Sequence, residues 1–254
     1  MPAPLQALLA ELDALLEPSR FRDYGPNGLQ VPGKQEVAKL VTAVSAGAEL
    51  FERAIAADAD LILVHHGLFW GSNTPPIDHS MKRRLKLLFD ADVALAAYHL
   101  PLDANPELGN NALIARGLGA ASHEPFGLHE GEPIGVLARF PGEGVPAADL
   151  RARVATLTKR DPLTFEAGPV WIRTLAIVSG GGVSYLEDAI AIGADAFLTG
   201  EPAERAMNQA REGHIHFLAA GHYATETFGV RALGEHLAAR FDVEHAFIDV
   251  PNPV

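Results

Sequence analysis

The chain has 254 residues, 48% of them hydrophobic, enough to bury a sizeable core in one large domain or two smaller ones and too apolar for a disordered tail. Its formal charge of -12 repels phosphate backbones, so nucleic acid is not the expected partner. With no cysteine there are no disulfides and no thiolate metal sites, which leaves His, Asp and Glu as metal donors and fits residence in the cytoplasm.

The opening stretch "MPAPLQALLAELDALLEPSRF" sets Leu5, Leu8, Leu9, Leu12, Leu15 and Leu16 at helical spacing, with Glu11, Asp13 and Glu17 among them. It has no basic start, so it predicts an amphipathic first helix and not an export signal. No apolar run approaches the ~20 residues needed to cross a bilayer, and no membrane association is expected. Next comes "YGPNGLQVPG", a turn-rich loop in which Asn27-Gly28 either borders a site or simply reverses the chain.

From there strand-like and helix-like stretches alternate: "KLVTAVSA", "ELFERAIAADA", "DLILV", "SMKRRLKLLFDAD", "VALAAY". Short apolar runs separated by helical segments predict βαβ units around a largely parallel sheet, an α/β fold. The pattern recurs later, with "AVSAGAELFERAIAADADLILVHHG" matched by "IVSGGGVSYLEDAIAIGADAFLTGE", so that Asp60 falls on Asp195, His65 on Gly200 and His66 on Glu201. "VALAAYHLPLD" is likewise matched by "HFLAAGHYATE", which sets His99 on His222 and Asp103 on Glu226. The expected organisation is two similar α/β halves, residues 1–122 and 169–254, related by an approximate twofold. Residues 123–168 connect them as a Gly- and Pro-rich embellishment containing a strand, "PIGVLARF", and a helix from about Ala147 to Leu157.

In parallel α/β sheets ligands bind beyond the carboxyl ends of strands. His65 and His66, His99 with Asp103, Thr199 to Glu201, and His222 all fall at such ends. Neutral imidazoles and carboxylates are the donors a divalent metal wants, and a pair of metals needs a carboxylate or solvent between them. Consecutive strand residues point to opposite sides, but a turn at Gly67 would let both His65 and His66 face one pocket. His222 and Glu226 are four apart at the start of a predicted helix, close enough to share a metal centre. Pro101 lies between His99 and Asp103, so Asp103 is expected on a loop. His123, His129, His214, His216, His236 and His245 are assigned surface or structural roles, while Asp78 and His79 are near enough in sequence to line a pocket. The "SGGG" at 179–182 is either a phosphate cradle or tight strand-to-helix packing, and "SAGA" at the matching place in the first half favours packing.

With these residues in view, the chain resembles the Nif-three-like dinuclear-metal-centre family, many members of which carry the label GTP cyclohydrolase type 2 homologue. The likeness runs through "NGLQVPG", "LVHHGLFW", "YHLPLDANPELGNNALIARGLG", "DAFLTGE" and "GHYATETFGVRALGEHL" in order and covers nearly the whole chain. The resemblance implies a metal pair in the cleft between the halves, a ring-shaped hexamer, and the ligands His65, His66, Asp103, His222 and Glu226, with Glu226 bridging. Two positions depart from the family pattern: Gly67 follows the paired histidines where Pro is frequent, and Ser45 ends the first strand where Asp is frequent. His99 and Glu201 are then proton-transfer or ligand-orienting candidates. The expected function is hydrolysis of a nucleotide-like or phosphorylated small molecule with two divalent ions, Zn, Fe, Mn or Ni. The alternatives are a ring-shaped metal-binding scaffold or nucleic-acid-interacting protein without turnover, acting on or encircling a macromolecule, and metal storage or delivery.

Overall fold

The leucine stripe at the N-terminus forms a helix over Leu5–Leu16 and buries Leu5, Leu8, Leu9, Leu12 and Leu16, while Leu15 is half-buried at the edge of the stripe. The fold is taken from a computed structural model that describes residues 2–71 and 76–254. The chain divides into two compact units, Met1–Leu102 with Gly229–Val250, and Asp103–Phe228 with Pro251–Val254. Among the described residues no helix is long and apolar enough to cross a membrane.

The first unit is built on a five-stranded sheet in the order Glu244–Phe247, Lys39–Ser45, Leu61–His66, Ala94–Ala97, Gly28–Val31. The first four strands are parallel and the last is antiparallel to its neighbour. Leu61, Ile62, Leu63 and Val64 are all inaccessible to solvent, as expected for a strand covered on both faces. Ile62 and Val64 pack with Val41, Ala43, Leu50, Phe51, Leu88 and Leu95 under the helices Ala48–Ala56 and His79–Ala91. Burying each such aliphatic side chain contributes about 1.5–3 kcal/mol before entropy is charged against it.

The second unit has a six-stranded mixed sheet in the order Leu163–Phe165, His216–Ala219, Ala196–Thr199, Thr174–Val178, Glu132–Arg139, Ser122–His129. Three central strands are parallel and the outer pairings are antiparallel. A largely parallel sheet therefore holds for the first unit, whereas the second is mixed. The Gly- and Pro-rich middle of the chain supplies both hairpin strands and the opposite edge, because backbone pairing and not composition decides membership of a sheet. Val136 and Ala138 from that hairpin sit in one core with Leu175, Ile177, Ala196 and Leu198. The helix Ala147–Thr158 packs its Leu150 and Val154 into the same core.

One device occurs in both units. Asp60, just before the Leu61–His66 strand, accepts from the backbone N–H groups of Ala38 and Lys39 at 2.8 and 3.0 Å. Asp195, just before the Ala196–Thr199 strand, accepts from the N–H groups of Arg173 and Thr174 at 2.8 and 2.9 Å. In each unit one carboxylate thereby closes the start of the neighbouring parallel strand, satisfying donors left open there.

Candidate metal centre

The first unit gathers three imidazoles at the carboxyl ends of adjacent strands. Ring nitrogens of His65, His66 and His99, one from each, all lie within 4.8 Å of one another. The ring centroids are 4.7 Å apart for His65 and His66, 4.9 Å for His65 and His99, and 5.5 Å for His66 and His99. Each Nδ1 has its own partner. His65 Nδ1 donates to the carbonyl oxygen of Tyr98 at 3.1 Å, His66 Nδ1 shares a hydrogen bond of 3.0 Å with Ser45 Oγ, and His99 Nδ1 faces Asp23 Oδ1 at 2.7 Å. A carbonyl can only accept, so His65 carries its proton on Nδ1 and presents the lone pair of Nε2. The same logic applies to His99 against its carboxylate, and this is how metal-binding imidazoles are held in one tautomer.

Both histidines of the pair do reach one place, but Gly67 contributes differently from the expected turn. Its φ lies outside the left-handed region, and a Cβ there would stand 2.3 Å from Gln30 Nε2. The Gln30 carboxamide fills that space, accepting from Leu68 N at 2.7 Å and donating to the Pro26 carbonyl at 2.8 Å. Gly67 is thus a close-approach glycine, clamped by Gln30 of the Gly28–Val31 strand, where the sequence reads as a turn-rich loop. Asn27, just before that strand, borders the site, since its Oδ1 accepts from His99 N at 2.8 Å and its Nδ2 donates to Asp23 at 2.9 Å.

Asp23 escapes sequence reasoning, for a lone Asp before a turn-rich loop has no motif. Its side chain is only 2% exposed. Burial pushes its pKa up, but the hydrogen bond and charge of His99, then Asn27 and the Tyr24 N–H, outweigh it and hold the carboxyl below the usual value. Leu100 N adds a further donor at 2.9 Å.

The second unit carries its own convergent set. His222 Nε2 lies 3.2 Å from Glu226 Oε2, and its Nδ1 is bonded to Glu201 Oε1. Burial lowers the His222 pKa, but Glu226 and Glu201 more than reverse this and push it up to about 9. The predicted continuous helix is broken: His222–Thr225 and Thr227–Phe241 are helical, and Glu226 stands between them with φ -115. The four-residue spacing still brings the two side chains together. Glycines make this possible, since a Cβ on Gly180 (φ +60) would lie 2.1 Å from Glu226 Oε1 and one on Gly200 would lie 2.6 Å from His222 Cα. At Gly182 a Cβ would meet Val178 Cγ1 at 2.5 Å, so the "SGGG" run serves close packing, the second of the two readings given above.

Asp103 also differs from expectation. It lies in a short helix, Leu100–Ala104, and not on a loop. Pro101 is accommodated because it occupies the first turn, where its missing N–H removes no intrahelical bond. Asn110 Nδ2 and Ser179 Oγ both donate to Asp103 Oδ1, at 2.8 and 3.1 Å. Asn111 braces the same corner, donating to the carbonyls of Asp103 and Ile134 and accepting from Ser179 N. The adjacent, buried asparagines of "GNNAL" were the available signal for this bracket. Of the other histidines, His216 bonds to the Pro169 carbonyl, His236 pairs with Glu11, and His245 packs against Gly234 with its Nε2 on Thr42 Oγ1, all structural uses. Asp78 caps the helix that begins at His79, accepting from Met81 N at 2.7 Å.

Fold and donors together define a mixed α/β protein with histidine and carboxylate groups at strand ends, of the kind that can hold divalent metals. The chain belongs to the Duf34/NIF3 (NGG1p interacting factor 3) family, whose model matches residues 3–253. A Pseudomonas aeruginosa protein named GTP cyclohydrolase 1 type 2 homolog is 46% identical over 254 residues, covering 100% of both chains. The Escherichia coli K12 protein of the same name is 42% identical over 239 residues, 94% of each. Among solved structures, protein ybgI, described as of unknown function, has a TM-score of 0.92 at 40% identity and covers 99% of this chain and 100% of its own. TTHA1606 from Thermus thermophilus has a TM-score of 0.90 at 40% identity with the same coverage.

Proposed function

We propose that the strand-end histidines and carboxylates hold a pair of divalent ions and that the protein is a metal-dependent hydrolase of a nucleotide-like or phosphorylated small molecule. In this reading two α/β halves, alike through internal duplication, supply His65, His66 and Asp103 from the first and His222 and Glu226 from the second, with Glu226 as the bridge. The observation that carries it is the pair of imidazoles His65 and His66, close together and each with its Nδ1 engaged, so that Nε2 is the atom turned to a cation. Nitrogen and oxygen donors of this kind suit Zn, Fe, Mn or Ni. Such ions, when bound, acidify a water and polarise a substrate oxygen or ring carbon.

The remaining work falls to the chain's own groups. Asp23 and Asn27 orient His99, Glu201 orients His222, and Ser179 with Asn110 sets the Asp103 carboxylate. His99 and Glu201 move protons to and from the reacting atoms. The name borne by the relatives puts purine nucleotides first among the substrates to try. The protein would work in the cytoplasm as a ring-shaped homohexamer, checked by its mass in light scattering.

The test is elemental analysis of purified protein coupled to a hydrolase screen on a nucleotide panel, with wild type and Asp103→Ala compared. Metal and turnover should be lost together in the variant. Turnover that survives loss of the metal would refute the hydrolase reading, and metal binding without turnover of anything in the panel would favour the scaffold.

A further inference from the structure

Beside the three imidazoles lies an open pocket of about 590 Å³, walled by Asp23, Tyr24, Gly25, Trp70 and Gly71. That size falls within the range of small-molecule sites. Two large rings are left in solvent there, Tyr24 at 55% and Trp70 at 43% exposure. Both attend His99: the Trp70 ring stands edge-on to the imidazole at 84° and 5.2 Å, and Tyr24 at 63° and 6.0 Å. Trp70 also lies 5.7 Å from the His66 ring.

The two walls are fixed to each other through backbone. Gly71 N donates to the Tyr24 carbonyl at 2.5 Å, and a Cβ on Gly25 would come within 2.4 Å of the Phe69 carbonyl oxygen. Gly71, where an added Cβ would meet nothing within 4 Å, leaves that wall without a side chain. Among the described residues the lining has no Lys or Arg to hold a phosphate, and its charged group, Asp23, is already taken up by His99, Asn27 and backbone donors. An aromatic floor without cations, next to imidazoles, selects for a flat and uncharged part of a ligand.

We infer that Tyr24 and Trp70 form a ring-binding subsite, taking a planar heteroaromatic group of nucleobase size that stacks on the Trp70 indole with its edge toward His99. This rests on the hydrolase reading only for why a ring should lie beside the reacting groups; binding itself requires no turnover.

The test uses the full-length protein. The chain has 2 tryptophans, so Trp171→Phe leaves Trp70 as the single indole reporter. Adenosine, guanosine and ribose 5-phosphate are titrated against its fluorescence, and affinities for Trp70→Ala and Trp70→Phe are measured by calorimetry, with metal content and assembly mass recorded for each. The nucleosides should quench saturably and ribose 5-phosphate should not. Trp70→Ala should weaken nucleoside binding about tenfold or more, and Trp70→Phe should largely restore it, with metal content and mass unchanged. The subsite is refuted by absence of saturable quenching, by equal binding of ribose 5-phosphate, by undiminished nucleoside affinity in Trp70→Ala, or by a change of assembly mass that accounts for the loss. Intact nucleoside binding by a protein that holds no metal and turns over nothing would overturn the hydrolase reading and leave the subsite standing.

Discussion

Ser45 shows how much one hydroxyl can decide. It ends the Lys39–Ser45 strand and engages His66 Nδ1. A group that orients a metal-binding imidazole typically matters 10–100-fold in metal affinity. Ser45→Ala is expected to weaken binding of a divalent ion by roughly tenfold or more in a chelator-competition titration, with little change in urea stability. Asp23 sits deeper and serves more donors, from Tyr24, Asn27, His99 and Leu100. Replacing it by Ala leaves several of them unsatisfied, so Asp23→Ala should cost about 2–4 kcal/mol in urea denaturation as well as freeing the His99 ring. The histidines themselves were legible in the sequence, since paired imidazoles at the end of an apolar strand have few structural uses. Asp23 and Ser179 were not, because a side chain that orients a neighbour across a fold leaves no local spacing to read.

At the scale of elements, the packing of glycines against ligand candidates offers a direct test. Gly180→Ala places a Cβ where Glu226 Oε1 now lies and forces a non-glycine residue to a φ of +60. The backbone cost is about 1–2 kcal/mol, and the displaced carboxylate should lower the bound metal measured by elemental analysis while circular dichroism remains native. The matched carboxylates Asp60 and Asp195 are stability devices. Asp60→Ala and Asp195→Ala should each cost about 1–3 kcal/mol by leaving two strand-start N–H groups without their acceptor. For Asp60 burial raises the pKa, but Lys34 and the Ala38 and Lys39 N–H groups lower it further, so the folded value lies below the ordinary 3.8. A depressed carboxylate contributes stability above its unfolded value and loses it as pH falls through the folded one. Wild type should therefore lose more stability than Asp60→Ala when urea unfolding is compared at pH 7 and at pH values below 3.8. The pairing of Asp60 with Asp195 could be read from aligned "AD" dipeptides ahead of the two strands. What each carboxylate does could not, because its partners begin a different strand.

For the molecule as a whole, the last strand is the telling case. Glu244–Phe247 pairs in parallel with Lys39–Ser45 and belongs with Gly229–Val250 to the first unit. A chain truncated after Asp242 would expose that edge and also remove Ile248 from the core around Val41 and Phe51. It should be recovered largely as aggregate, an outcome checked by size-exclusion chromatography, since an open apolar edge recruits other strands. Cation binding should act on the whole fold by mass action. At a hundredfold excess over Kd a site adds about 2.7 kcal/mol to unfolding, which should raise Tm by a few degrees and vanish in His65→Ala.

The sequence by itself determined the α/β class, the N-terminal helix, the strand ends and which histidines and carboxylates would stand at them. Those features come from periodicity and short-range spacing, which are written in consecutive residues. Only the tertiary structure decided that the middle segment completes a sheet, that the C-terminal strand returns to the first unit, and that Gly67 and Gly180 are bare because Gln30 and Glu226 press against them. Such facts depend on contacts between residues distant in the chain, and no local pattern encodes which partner will fill a given space.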